Sequence, residues 1–269
     1  MLSDEQFIRY QRQVSLPEWG ESGQEQVSKG HVLIIGVGGL GSAAALYLCA
    51  AGVGKLVLVD DDKVEISNLQ RQVSYREVDL EKPKTEALKT QLHALNAHCQ
   101  IRTVGHRLSD SQLNLEIALA DVVLDCSDNF ETRHQINRLC FEAKRPLIFA
   151  SAIGWQGQFA VFDFSEPVSL SGCYSCLLPE ASAGRQVNDS CSDIGVVGPV
   201  VGTLGNYQAL ATLHKLVFDH FVFPTNLFHV FDGKTLVWQR LSMTRDNHCA
   251  ICGDNARLRS AHNTERISP

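Results

Sequence analysis

The sequence predicts an α/β fold: a Rossmann-like, doubly wound mixed sheet with a four-cysteine zinc site joining the C-terminal tail to the middle of the chain. Three observations predict it. Short apolar runs alternate with helical stretches from residue 31 to residue 150, a glycine-rich turn links the first run to its helix, and two C-x-x-C pairs stand far apart in the second half.

In chain order, Ser3 and Gln6 form a capping box that opens a short helix through Gln13, and Glu21 to Ser28 gives a second helix. His31 to Ile35 is a buried-strand run, Leu40 to Ala51 a helix of small residues and Lys55 to Asp60 a second strand, together one βαβ unit. Pro83 to Leu95 predicts a helix with proline in its first turn. Strands follow at Gln100 to Val104, Ala120 to Cys126 and Pro146 to Ala150, with a helix over Glu131 to Ala143. Beyond Ser151 the pattern changes. Gly157 to Phe164 alternates as an antiparallel strand does, Glu180 to Ser192 is a polar surface crossing, and Val200 to Phe218 is helical. Leu227 to Phe231 and Thr235 to Leu241 predict a hairpin across Asp232 and Gly233. The expected organisation is one domain, 1–269: N-terminal helices over 1–30, a nucleotide-binding half over 31–150, and a half over 151–269 that carries the cysteine pairs.

Composition narrows the function. The 24 basic and 30 acidic residues leave a net charge of -6, which argues against nucleic acid as a partner. The longest apolar stretch, Val196 to Val222, is interrupted by Pro199, Asn206, His214 and Lys215, so no membrane span is expected. The polar start does not read as a secretory signal, and a cytoplasmic location is expected. Nine cysteines in a reducing compartment point to metal ligands, nucleophiles or core residues before disulfides.

Gly36, Gly38 and Gly41 give the G-x-G-x-x-G spacing between a strand and a helix, where backbone amides face anionic oxygens and a nucleotide can approach closely. Asp60 ends the next strand, placed to accept hydrogen bonds from ribose hydroxyls. A nicotinamide-dependent oxidoreductase shares these features. The polar block Asn68-Leu69-Gln70-Arg71-Gln72, followed by Lys84, favours nucleotidyl transfer instead, because a triphosphate needs cations around it. Asp128 lies at the carboxyl edge of a core strand, placed to hold Mg²⁺ against phosphates, with Asn129 as a helix cap. Cys173, Cys176, Cys249 and Cys252 supply four thiolates, a complete tetrahedral set for Zn²⁺ that leaves no position open for water, so the metal holds structure. Cys191 stands apart in the polar crossing and is the candidate nucleophile, although Asp189 and Asp193 beside it raise its pKa.

These residues, taken in order over nearly the whole chain, resemble the ThiF/MoeB/HesA family, bacterial relatives of the ubiquitin-activating enzymes. The resemblance rests on Arg9 to Gln13, Gly36 to Gly41, Asp60, Ser67 to Gln72, Pro83-Lys84, Asp125 to Asn129, both C-x-x-C pairs and Cys191. It implies an adenylyltransferase in which a carrier's C-terminal Gly-Gly carboxylate attacks the α-phosphate of ATP and releases pyrophosphate. ATP binding then falls to Gly36, Gly38, Gly39, Gly41, Asp60, Asp62, Asn68, Arg71, Lys84, Asp128 and Asn129. Arg71, Lys84 and Asp128 carry the chemistry, joined by Arg12 reaching across a homodimer and by Cys191 in sulfur transfer from a persulfide donor. The length and the run Gly195 to Gly202 resemble the ThiF branch, which implies a ubiquitin-like sulfur carrier of the ThiS type and a role in thiamine biosynthesis. A carrier of the MoaD type, for molybdopterin, is the near alternative. A zinc-stabilised binding module without activity is the remaining reading, against which Arg12, Arg71, Lys84 and Asp128 argue together.

Overall fold

The computed structural model describes residues 2–165, 172–179 and 195–254. Two helices lead in: α1 (Asp4–Val14), opened by the Ser3/Gln6 capping box, and α2 (Gly20–Lys29). The alternating region follows as β1 (His31–Ile35), α3 (Gly39–Ala51), β2 (Lys55–Val59), α4 (Lys84–Leu95), β3 (Gln100–Val104), α5 (Asp110–Leu119), β4 (Val122–Asp125), α6 (Phe130–Glu142) and β5 (Leu147–Ile153). Next come β6 (Gln156–Phe162), a one-turn helix α7 (Tyr174–Leu177), the long α8 (Gly198–Phe218), and the hairpin β7 (Leu227–Asp232) with β8 (Val237–Ser242).

Among the described residues eight strands form one sheet in the order β3-β2-β1-β4-β5-β6-β7-β8. The first five run parallel and the last three antiparallel, which makes the sheet mixed. The parallel strands are apolar at nearly every position because both sheet faces are covered. On one face Ile34, Leu56, Leu58 and Leu124 pack with Leu48 of α3, Leu88 of α4 and Leu204 of α8. On the other, Leu33, Val57, Val123 and Phe149 pack with Ile117 of α5, Ile136 of α6 and Tyr174 of α7. Alternate residues of one strand thus serve opposite cores. Gln208 of α8 is fully buried yet satisfied: its amide donates to Asp125 O at 2.9 Å and Ile148 O at 3.1 Å, fixing α8 to the ends of β4 and β5.

Several boundaries differ from expectation. α5 has no counterpart in the sequence reading, although Ser109 and Gln112 form a capping box at its start. β5 extends to Ile153 because β6 pairs with it down to Gln156 across a tight turn. Thr235 belongs to the β7–β8 turn, closed by Asp232 accepting from Thr235 Oγ1 at 2.9 Å, so β8 begins at Val237. Among the described residues no helix is long and apolar enough to cross a membrane. The expected crossing over Glu180 to Ser192, with Cys191, lies outside the described residues.

Candidate active site

In this strand order the connections reverse between β1 and β4, and ligands of open α/β sheets bind at such a point beyond the carboxyl ends of the strands. A cleft of about 960 Å³ lies there, and its lining joins the turn after β1, the ends of β2 and β4, and Ser151 of β5.

The turn after β1 cannot be built with side chains. Gly36 has φ +86°, and a Cβ there would stand 2.7 Å from Cys126 O; a Cβ on Gly41 would stand 1.9 Å from Gly36 O. The backbone of the turn is held from two sides. Val37 N donates to Asp60 Oδ2 at 2.8 Å, and the buried Tyr75 hydroxyl donates to Val37 O at 2.6 Å. Asp60 also accepts from Asp62 N at 2.9 Å. Burial pushes the Asp60 carboxyl above its ordinary value, while Lys84 and the two amide donors oppose the shift. α3 starts at Gly39 with Gly38 as its cap, no side-chain cap bond and no acidic residue in its first turn. Its amides therefore face the cleft as an uncompensated positive end, suited to phosphate.

Cations surround that end. Lys84 opens α4 and its ammonium lies 2.8 Å from Asp62, with the lysine side chain 7% and the aspartate 67% exposed. An exposed acid opposite a buried lysine is a partner that an incoming anion can displace. Arg71 lines the cleft, its guanidinium donating to Ser67 O at 2.9 Å. Asn68 sits buried in a 3₁₀ turn (Ile66–Asn68) and accepts from Glu65 N at 3.3 Å. Gln72 Oε1 and Thr85 Oγ1 are buried without a hydrogen-bond partner among the described residues. Lys63 and Arg107, which sequence reasoning did not single out, also line the cleft.

The opposite wall is the end of β4. Asp125 is buried and accepts from Ser127 N at 3.0 Å and Ser127 Oγ at 2.6 Å. Burial pushes its carboxyl up, and the nearby Arg133 charge opposes this. Arg133 donates to Ser127 O at 2.9 Å, so the turn is fixed on both sides. Asp128, just beyond, is exposed in the cleft, and its carboxylate offers an oxygen ligand of the kind Mg²⁺ takes alongside phosphates, while Asp60, Asp61 and Asp62 form a separate acidic group in the same cleft. Asn129 caps α6 by accepting from Thr132 N at 2.9 Å. Cys126, directly after β4, is buried, and its thiol donates to Gln208 Oε1 at 3.2 Å.

The four cysteines come together. Cys173, Cys176, Cys249 and Cys252 have sulfur atoms all within 4.8 Å of one another. Cys173 and Cys249 are 3.7 Å apart and Cys176 and Cys252 3.3 Å, far longer than a disulfide. A tetrahedral Zn²⁺ with bonds of about 2.3 Å would set its sulfurs about 3.8 Å apart, which these distances approach. The hydrogen bond from Cys173 lowers the Cys176 thiol to about 6 and pulls Cys249 down as well, while Cys173 and Cys252 are pushed up. A metal bound here would take all four as thiolates, displacing the protons that Cys173 and Cys252 otherwise keep.

Two residues expected at the nucleotide do not line the cleft: Arg12 is exposed on α1, and Gly41 is buried in the first turn of α3.

A glycine turn at a helix start, a hydrogen-bonded carboxylate at the end of the next strand and a cationic wall suit an α/β protein that binds a nucleotide. Comparison with known proteins narrows this class. The ThiF family model matches residues 10–252, and the chain belongs to the ThiF family. It is 42% identical over 252 residues to the sulfur carrier protein ThiS adenylyltransferase of Escherichia coli (strain K12), covering 94% of this chain and 97% of that one. It is 36% identical over 252 residues to the molybdopterin-synthase adenylyltransferase of the same organism, covering 94% and 98%. Among solved structures, E. coli MccB with MccA-N7isoASN superposes with a TM-score of 0.77 at 23% identity, over 91% of this chain and 75% of that one. E. coli MccB with ATP gives 0.76 at 23% identity, over 91% and 73%. At that identity these two likenesses speak for the fold.

Proposed function

We propose that this protein is an adenylyltransferase that uses ATP to activate the C-terminal Gly-Gly carboxylate of a ThiS-like ubiquitin-like sulfur carrier, for sulfur transfer in thiamine biosynthesis. The observation that carries the reading is the pairing of an uncapped, acid-free helix start at Gly39 with Lys84 and Arg71 in one cleft, in a chain 42% identical to a ThiS adenylyltransferase. The carrier carboxylate attacks the α-phosphorus, a P–O bond forms, and the bond to pyrophosphate breaks. Two anions must approach each other, so the barrier is dominated by charge. Lys84, released from Asp62, and Arg71 neutralise the phosphates; the amides at Gly38 and Gly39 orient them. Asp60 holds the ribose, with Asn68 in support. Asp128 would hold Mg²⁺, which supplies charge neutralisation at the phosphates when bound.

In this reading residues 31–150 bind the nucleotide and residues 151–269 meet the carrier. Zn²⁺ held by Cys173, Cys176, Cys249 and Cys252 is structural. Arg12 reaches the nucleotide of the second subunit of a homodimer, and Cys191 exchanges sulfur with a persulfide donor. The protein acts in the cytoplasm. A MoaD-like carrier is the second reading, favoured by the 36% identity to a molybdopterin-synthase adenylyltransferase at equal coverage. The nicotinamide-dependent alternative is set aside by membership of the ThiF family.

Asp128→Ala tests the assignment through carrier-dependent exchange of label between pyrophosphate and ATP. The variant is expected to lose exchange while keeping the wild-type melting temperature. Wild-type exchange in that variant would remove Asp128 from the machinery.

A further inference from the structure

α6 touches both the nucleotide cleft and the cysteine cluster, using residues one turn apart on its inner face. At its first turn Arg133 donates to Ser127 O at 2.9 Å, next to Asp128, while its guanidinium carbon lies 5.4 Å from the centre of the Phe149 ring. At the next turn Asn137 is 0% exposed and spends its whole amide on the cysteine knuckle. Its Nδ2 donates to Cys173 Sγ at 3.6 Å and Ser175 Oγ at 3.2 Å, and its Oδ1 accepts from Tyr174 N at 3.0 Å. His134 adds a contact of 3.2 Å from Nδ1 to Ser175 Oγ. The Tyr174 ring fills the space between, 5.0 Å from Phe149 and 5.1 Å from His134. Each of these groups is packed in a core where small shifts are transmitted and not absorbed.

We infer that α6 couples the cysteine site to the nucleotide site, with Asn137 as the positioning residue that transmits metal occupancy to the Ser127–Asp128 turn. The inference rests on the reading that the four cysteines hold Zn²⁺. A hydrogen bond to a ligating sulfur steadies that ligand and its orientation. When the cluster closes on the metal, Cys173 and the amide of Tyr174 take fixed places, Asn137 follows them, and α6 carries Arg133 and the cap at Asn129 into register. The turn bearing Asp128 is then set before nucleotide arrives. An empty cluster leaves four thiols whose mutual spacing is not enforced, and α6 loses the fixed anchor that Asn137 makes to the knuckle at Cys173. Asn137 touches neither nucleotide nor reacting atoms, so its effect reaches them only through the helix.

Coupling between two binding sites is reciprocal. Bound nucleotide must therefore tighten metal binding by the same factor by which metal tightens nucleotide binding. The test uses purified full-length protein, its zinc content measured first by elemental analysis. Apparent zinc affinity is then determined by competition with a zinc-selective chelator, with and without a saturating non-hydrolysable ATP analogue and Mg²⁺. The wild-type protein is expected to bind zinc at least about fivefold more tightly with the analogue present, the lower end of typical coupling. In Asn137→Leu, which keeps the branched shape but replaces both polar atoms with bulkier methyl groups, the ratio is expected to fall to about one, with the variant's far-UV circular dichroism checking that it is folded. Asn137→Asp keeps the acceptor for Tyr174 N but replaces the donor to sulfur with a carboxylate, and is expected to weaken zinc binding and lose the coupling together. Equal zinc affinity with and without analogue in the wild type overturns the inference while leaving the zinc reading intact. Persistence of the full ratio in Asn137→Leu overturns the role of Asn137. Protein that purifies without metal and takes up none sinks the zinc reading, and this inference with it.

Discussion

The same substitution, glycine to alanine, is expected to have opposite effects at two helical positions. At Gly41, in the first turn of α3, a Cβ would lie 1.9 Å from Gly36 O, where real contacts do not fall below 3.0 Å. The helix start must therefore move away from the turn by about 1 Å, because both sides are backbone and neither can rotate clear. Overpacking of this kind costs about 1–3 kcal/mol, and a misplacement of about 1 Å at groups that orient a substrate can cost on the order of a hundredfold in rate. At Gly202, inside α8, an added Cβ meets nothing within 4 Å and the backbone is not left-handed. There alanine gains helix propensity of about 1 kcal/mol. For a chain of this size about 1 kcal/mol moves the melting temperature by roughly 2–4 °C. Gly202→Ala is expected to melt about 2–4 °C above the wild type. Gly41→Ala is expected to melt below it and to lose about a hundredfold in kcat/KM for pyrophosphate exchange. Thermal melts and exchange assays on both variants decide the matter. A Gly41→Ala protein with wild-type kcat/KM would refute the claim that the turn positions the phosphates.

Three further outcomes follow from other parts of the molecule. Lys84→Met should raise the KM for ATP and lower kcat in steady-state exchange assays, since both ground and transition states use the charge; an unchanged kcat would limit Lys84 to binding. Cys252→Ser should abolish stoichiometric zinc in elemental analysis and make residues 243–254 accessible to protease, whereas retained zinc would show that three thiolates suffice. Asp125 gives a pH prediction. Its folded-state carboxyl titrates above the ordinary value of 3.8 because it is buried. The fold thus favours the protonated form, and the stability this provides is fully present below that ordinary value and lost as pH rises through the folded pKa. Urea midpoints of wild type and Asp125→Asn, compared from pH 4 to pH 7, should show the wild type losing ground as pH rises; the opposite slope would mean that Arg133 outweighs burial.

The parts of this protein written locally were legible. The Gly36 to Gly41 turn declares itself because its backbone geometry excludes side chains, and the cysteine pairs because thiol spacing is a property of one turn of chain. What escaped has physical reasons. Leu113, Leu115, Ile117 and Leu119 of α5 alternate as a strand's residues would, and only the Ser109/Gln112 box reveals the helix. Arg133 and Asn137 are not singled out by the sequence, because periodicity assigns polar side chains on a helix to solvent; their partners, Ser127 O at the preceding turn and the knuckle at Cys173, are set by the fold. Lys63 and Arg107 reach the cleft from loops whose path no local pattern sets. The role expected of Arg12 depends on a second copy of the chain, beyond the reach of one sequence's spacing.

The most direct test of carrier adenylation is exchange of label between pyrophosphate and ATP by the wild-type protein, supplied in turn with a ThiS-like carrier, a MoaD-like carrier, and each lacking its terminal Gly-Gly. The account predicts exchange that depends on the intact ThiS-like carrier and disappears with its truncated form. Absence of exchange with either carrier, from folded and zinc-loaded protein, would contradict it.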